Sequence, residues 1–199
     1  TAVPSALTVA PLAAPAESAD GSQVAALRTV AGRTSLLAGP AHGVLTGRAS
    51  ALFVSAPTFD PQGDVYVARG IPGAEQIVEY PLHGPARPAT TSGVPTGSIQ
   101  SLAVSPDGSR IAAVVGLPGT GQLVVGSITS LGSHPAVQAV HLVLPSSRDV
   151  ESVAWSGAGQ LVCTVATGIG RRGVVQVSLD GYQTTALATA GLTGLPDQV

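Results

Sequence analysis

"SLAVSPDGSRIAAVVG", Ser101 to Gly116, holds a tight turn between two apolar runs. In Ser105-Pro106-Asp107-Gly108, Pro presets φ at the first corner, Asp tolerates the second, and Gly takes the left-handed position that closes a type I turn with a bulge. The stretch reads as a β-hairpin, and the turn needs no ligand to explain it. Gly108→Val would force a branched residue to positive φ. A near copy stands at Ser18, where "SADGSQVAAL" agrees with "SPDGSRIAAV" at six of the first nine residues. Two looser copies follow the same outline, "DPQGDVYVAR" from Asp60 and "SGAGQLVCTV" from Ser156. The turn glycines Gly21, Gly63, Gly108 and Gly159 are 42, 45 and 51 residues apart. Periods of this length belong to the four-stranded blades of β-propellers.

The remaining sequence supports an all-β chain. Gly (25) and Pro (16) divide it into short apolar clusters with few helix signals. In the third copy the spacing predicts strands over Ile99–Ser105, Arg110–Gly116, Gln122–Ile128 and Val137–Leu144. In the fourth it predicts Glu151–Ser156, Gln160–Thr167, Gly173–Leu179 and Thr184–Ala190. The second copy runs through "FVSAPTFD", "DVYVARG", "EQIVEYPL" and the polar "RPATTSG". Runs such as "RIAAVVG" do not alternate apolar with polar, which suits strands covered on both faces by neighbouring blades. The first copy opens on the Ala- and Pro-rich "ALTVAPLAAPAE" and is expected to be a worn or partial blade. The expected architecture is a single β-propeller domain or fragment with blades over about 6–51, 52–97, 98–147 and 148–191. Residues 192–199 would begin a further blade or close the ring, so the four blades form part of a larger or open ring.

Bulk composition narrows the function. The net charge is −2, charged residues make up 10% of the chain, and all nine basic residues are Arg. No broad basic patch is available, so no nucleic-acid partner is expected. No apolar stretch approaches the roughly 18 residues of a membrane-spanning helix. The chain opens on Thr1 and reads as a mature or excised segment. Cys163, the single cysteine, lies in "QLVCTVATG" and is expected to be a buried, inert thiol.

"SLAVSPDGSRIAAVV" with "GQLVVGSI", then "DVESVAWSGAGQLVCTV" and "GVVQVSLDG", resembles the C-terminal β-propeller of the LpqB-type lipoproteins of actinobacteria. "APTFDPQGDVYVARG" falls at the matching place in the order, and coverage runs from about Ser18 to Gly191. "SPDG" before an apolar strand is shared more widely with TolB-like repeats, so the ordered blade openings and "VAWS" carry the family signal. The first blade departs, with Glu17 where later copies have Phe59, Val104 and Trp155. The resemblance implies an extracytoplasmic lipoprotein anchored by a lipidated cysteine outside this chain, with a sporulation-type GerMN domain ahead of the propeller. It also implies a sensor histidine kinase, through its extracytoplasmic domain, as partner.

Candidate site residues come from the blade alignment. Ser55, Gln100 and Glu151 are equivalent, near the start of each blade's first strand, where propellers line a central channel. Asp149 is two residues before Glu151 and would share its face. Arg171-Arg172 is the only basic pair and sits in a presumed hairpin, suited to an acidic partner or to anionic headgroups. Trp155 is expected to pack blade on blade. His42, His83, His134 and His141 show no metal-ligand spacing, and no metal or other cofactor is expected. No GxSxG elbow is present, while Asp60, Asp64, Asp107 and Asp180 fall at presumed rim turns. The expected function is therefore a non-enzymatic interaction module. The alternatives are a propeller hydrolase or lactonase with a channel metal at Glu151, and a propeller that binds wall glycan.

Overall fold

The computed structural model describes residues 11–117, 119–131, 134–141, 149–168, 171–179 and 184–187, and every regular element among them is a strand. The first blade is β1 (Leu12–Glu17), β2 (Gln23–Val30), β3 (Arg33–Pro40) and β4 (Thr46–Ala51), paired in that order as an antiparallel sheet. The second begins with a split first strand, β5 (Phe53–Val54) and β6 (Thr58–Phe59), both paired with β7 (Val65–Ile71). β8 (Ala74–Tyr80) and β9 (Arg87–Pro88) follow, and β10 (Thr90–Ser92) comes next in the chain. The third contains β11 (Ser98–Val104), β12 (Arg110–Gly116), β13 (Gln122–Leu131) and β14 (His134–His141). The fourth contains β15 (Asp149–Gly157), β16 (Gln160–Gly168), β17 (Arg171–Ser178) and β18 (Thr184–Leu187).

The apolar runs that fail to alternate are explained by the cores, which lie between blades. In β12, Ile111, Ala113 and Val115 face Tyr66, Ala68 and Ile77 of the second blade. The intervening Ala112 and Val114 face Leu161, Cys163 and Val165 of the fourth. One strand thus feeds two cores, and polar residues have no place on either face. A third core joins Ala25, Leu27 and Leu36 to Val65, Val67 and Val78 across the first two blades. Each Val, Leu or Ile among them contributes roughly 1.5–3 kcal/mol on leaving water, so the blades are stabilised chiefly by stacking on one another.

Two expectations change. The first blade is a complete four-stranded sheet; its irregularities are a register shift in β1, where Ala14 holds φ 46° against β2, and a second shift between Leu36 and Leu37 where β3 pairs with β4. The segment "RPATTSG" is not one outer strand. Arg87–Pro88 pairs with β8, but Thr90–Ser92 crosses to pair in parallel with β14, giving the third blade a fifth strand. Pro88 has no N–H to continue the first ladder, and Ala89, 3% exposed, is buried where the chain changes partners. The expected strand ends at 142–144 and 188–190, and residues 6–10 and 192–199, lie outside the described residues.

Candidate functional site

Strand polarity gives the arc two edges. One carries the turns between first and second strands and the loops between third and fourth strands; the other carries the second-to-third hairpins and the connections between blades. At the first edge the quoted turn and its copy are built alike. The Ser105 hydroxyl donates to Asp107 Oδ1, which also accepts the Ser109 N–H at 3.0 Å, and Ser105 Oγ accepts the Arg110 N–H at 2.9 Å. Ser18, Asp20, Ser22 and Gln23 repeat the set. The serine hydroxyl, followed by the next backbone and hydroxyl donors, holds each aspartate down to about 2. These carboxylates are turn elements, each fixed through Oδ1. Gly108 (φ 73°) brings this turn against Pro61 of the neighbouring blade's turn, so adjacent turns also touch.

The aligned candidates at the other edge share a structural cause. Register slips by one residue between Ile99 and Ser101 and between Val150 and Ser152, so Gln100 and Glu151 are the extra residues of equivalent β-bulges. Ser55 lies in the matching break between β5 and β6. Each side chain bonds within its own blade instead of meeting the others in one polar set. Ser55, 2% exposed, accepts the Ala68 N–H at 2.9 Å. Gln100 Nε2 donates to Gly116 O at 3.0 Å, and Glu151 receives Arg172 Nε at 2.6 Å. Because a break in the ladder leaves backbone groups unpaired, Ser55 and Gln100 turn back to satisfy them, while Glu151 meets a side chain of its own sheet.

Asp149 also departs from the expected shared site. It accepts the Gly121 N–H of the preceding blade, and Val150 N–H donates to Gly121 O at 3.1 Å, making this residue an inter-blade clip. Ser98, at the equivalent place one blade earlier, also bonds to the preceding blade, though there its hydroxyl donates to the Glu75 carboxylate. Arg172 lies in β17 and reaches across β16 to the first strand, so it is not a free loop cation. The Arg171 side chain and Asp180 lie outside what is described.

Trp155 is placed as expected, half-buried against the core of the last two blades, and its Nε1–H donates to Ala103 O across the blade joint at 2.9 Å. Cys163 is wholly buried and burial pushes its thiol up to about 12, which fits an inert core residue. His42, His83 and His134 are exposed and lie in separate blades.

One cluster was not found from sequence. Asp60, Asp64 and Glu79 bring carboxylate oxygens within 4.8 Å of one another. Asp60 opens the rim turn expected of it but is buried there, at 9% exposure, and Glu79 is buried at 7%. The signal was weak, since Glu79 is only the single charge near the end of "EQIVEY". All three are engaged internally: Asp60 accepts the Gln62 and Asp64 N–H groups, Asp64 accepts the Leu82 N–H at 2.7 Å, and Glu79 pairs with Arg87 at 3.5 Å. Burial, then hydrogen bonding with Asp64, pushes Glu79 up to about 6 against the opposing pull of Arg87.

This has a measurable consequence. The folded state holds the Glu79 proton more tightly than the unfolded chain, whose ordinary value is 4.5. Below that pH both states are protonated and the burial has no electrostatic cost; as pH rises through about 6 the folded state loses that advantage. The stability of Glu79→Gln relative to the unsubstituted chain should therefore rise between pH 4.5 and 6 and then level off. Urea unfolding across that range checks it, and a flat difference would show that the carboxylate titrates as in the unfolded chain.

Between the first two blades, at the turn edge, a cavity of about 400 Å3 is lined by Phe59, Val65, Tyr80, Arg48 and Leu82 among others. Arg48 donates to Pro81 O across it. The Arg69 guanidinium stands 5.7 Å from the Tyr80 ring centroid.

Repeated four-stranded sheets, cores between them and contacting first strands define a β-propeller. Solved structures with this fold include TolB from Acinetobacter baumannii, at 16% identity and TM-score 0.70 over 89% of this chain and 43% of that one. A puromycin-hydrolysing peptidase from Mycobacterium tuberculosis gives 19% identity and TM-score 0.62 over 92% of this chain and 30% of that one. At such identity the likeness is one of fold. The family model of the lipoprotein LpqB β-propeller domain matches residues 1–199, and the chain belongs to that family. Lipoprotein LpqB of Streptomyces coelicolor is 32% identical over 151 residues, 71% of this chain. The match spans only 24% of that relative's length.

Proposed function

We propose that this propeller is a non-catalytic interaction module of an envelope lipoprotein, held outside the cytoplasmic membrane by an anchor beyond this chain. Its partner is the extracytoplasmic domain of a two-component sensor histidine kinase. The observation that carries the reading is the family match along all 199 residues, together with relatives that are themselves named lipoproteins. The site geometry agrees with it. Ser55, Gln100, Asp149 and Glu151, the polar residues aligned at the channel end of the blades, are bonded within or between blades. In the same reading Arg172, with three quarters of its side chain surface exposed while its Nε holds Glu151, offers its remaining guanidinium donors to a partner at the hairpin edge.

The test is direct binding of the intact chain to the kinase's extracytoplasmic domain by surface plasmon resonance. Saturable binding is expected. No response, under conditions in which the full lipoprotein binds the same domain, would remove this module from the interaction.

A further inference from the structure

The two edges of the arc differ in what they expose. Among the described residues eight large hydrophobic side chains are exposed, and five of them, Leu12, Val30, Leu52, Ile71 and Leu117, stand at the hairpin edge. Three of the five recur at one structural position, the hairpin between second and third strands: Val30 at 54%, Ile71 at 60% and Leu117 at 68% exposure. The sequences are "TVAG", "GIPG" and "GLPG". The turn chemistry accounts for the Gly and Pro but asks for no aliphatic side chain. Isolated exposed aliphatics are ordinary, but repetition at one tip in three successive blades places them along a common edge.

Charge is divided along the same line. Arg28 and Arg33 flank Val30, are exposed, and have no carboxylate partner among the described residues. Arg171 and Arg172 open β17 at the same edge. The acids there are turned to internal donors: Glu75 to the Gly73 N–H and Ser98, Asp149 to the Gly121 N–H, and Glu151 to Arg172. The opposite edge carries six acids, Glu17, Asp20, Asp60, Asp64, Glu79 and Asp107, of which Asp60 and Glu79 are buried, against three arginines, Arg48, Arg87 and Arg110, and so is net acidic.

We propose that the hairpin edge rests on an anionic bilayer, with Val30, Ile71 and Leu117 entering the boundary between headgroups and acyl chains while Arg28 and Arg33 meet lipid phosphates. Basic side chains interleaved with apolar ones are what such a surface attracts. A protein hot spot instead gathers aromatic anchors in a contiguous, desolvated patch. Here the tips belong to separate blades, and among the described residues none of the exposed large hydrophobics is aromatic. A fluid apolar phase accepts separated tips. The acidic edge is repelled by the same surface, which fixes the orientation. The inference does not depend on the kinase reading, and a lipid-only assay separates the two.

The intact chain is sedimented with vesicles of phosphatidylcholine containing about 30% phosphatidylglycerol, and with phosphatidylcholine alone. Partitioning to the anionic vesicles is expected to exceed that to the neutral ones by about tenfold and to weaken on raising NaCl to roughly 0.5 M. The combined Val30→Ser, Ile71→Ser and Leu117→Ser variant should lose at least about tenfold, since apolar burial scales with the methylenes inserted. Arg28→Ala with Arg33→Ala should lower partitioning and flatten its salt dependence. Val44→Ser with Leu82→Ser, at the opposite edge, serves as the control and should leave partitioning unchanged. All these side chains are exposed, so the thermal melts should stay together. Absence of binding to anionic vesicles, or equal partitioning by the tip and control variants, overturns the proposal.

Discussion

Trp155→Ala should lower the unfolding free energy by about 3 kcal/mol, toward the low end for deleting a large aromatic because the ring is half-buried. Two losses combine. The ring leaves a void against the core shared by the third and fourth blades, whose members include Val153 and Leu161. The indole N–H also leaves Ala103 O without its cross-blade donor. Trp155→Phe separates them: the ring is largely kept, and the remaining cost should be about 1 kcal/mol. Urea unfolding followed by circular dichroism measures both. If the Phe and Ala variants proved equally destabilised, the hydrogen bond rather than packing would be the main contribution; if neither moved the midpoint, the joint between the blades would not depend on this residue.

Gly121→Ala should be as damaging despite adding a single methyl group. A Cβ at this position would stand 1.9 Å from Val150 O and 2.9 Å from a Val114 methyl group. The first obstacle is backbone of the next blade and cannot rotate away. Relief requires the fourth blade to shift, which disturbs the Gly121–Asp149 and Gly121–Val150 hydrogen bonds at once. Overpacking and those bonds together suggest about 3 kcal/mol, or roughly 6–12 °C in melting temperature for a chain of this size. Gly157→Ala is the matched control, because a Cβ there meets nothing within 4 Å. Coincident melts for the two variants would show that the third and fourth blades do not approach as closely as described.

The architecture was legible because the hairpin turn has strict chemistry. Ser, Asp and Gly at fixed offsets left the same imprint at Ser18 and Ser105, and the spacing of the copies gave the blade. The non-alternating "RIAAVVG" could be read as a strand covered twice, and β12 does feed two cores. The path of "RPATTSG" could not be read, because whether a short polar strand pairs with its own blade or the next depends on edges formed more than forty residues apart. The candidate site was legible only as an alignment. That Ser55, Gln100 and Glu151 are equivalent followed from counting. That they sit in bulges, and so turn back to their own sheets, depends on one-residue slips that leave no mark in composition. The Asp60, Asp64 and Glu79 cluster combines a turn with the far end of a strand, and only the fold brings them together. The repeated hairpin tips were visible as "TVAG", "GIPG" and "GLPG", but their exposure at one edge required the strand polarity.

The crossing of β10 bears on how the chain would come apart under tension. This strand belongs to the second blade by sequence and to the third by pairing, and it flanks β14 on the side away from β13. A pull transmitted along the chain to β14 must therefore break two ladders together, one antiparallel and one parallel. The second and third blades should consequently resist a pull as a single mechanical unit, a stitch inside an array whose other joints combine side-chain stacking with isolated hydrogen bonds and lack a shared strand among the described residues.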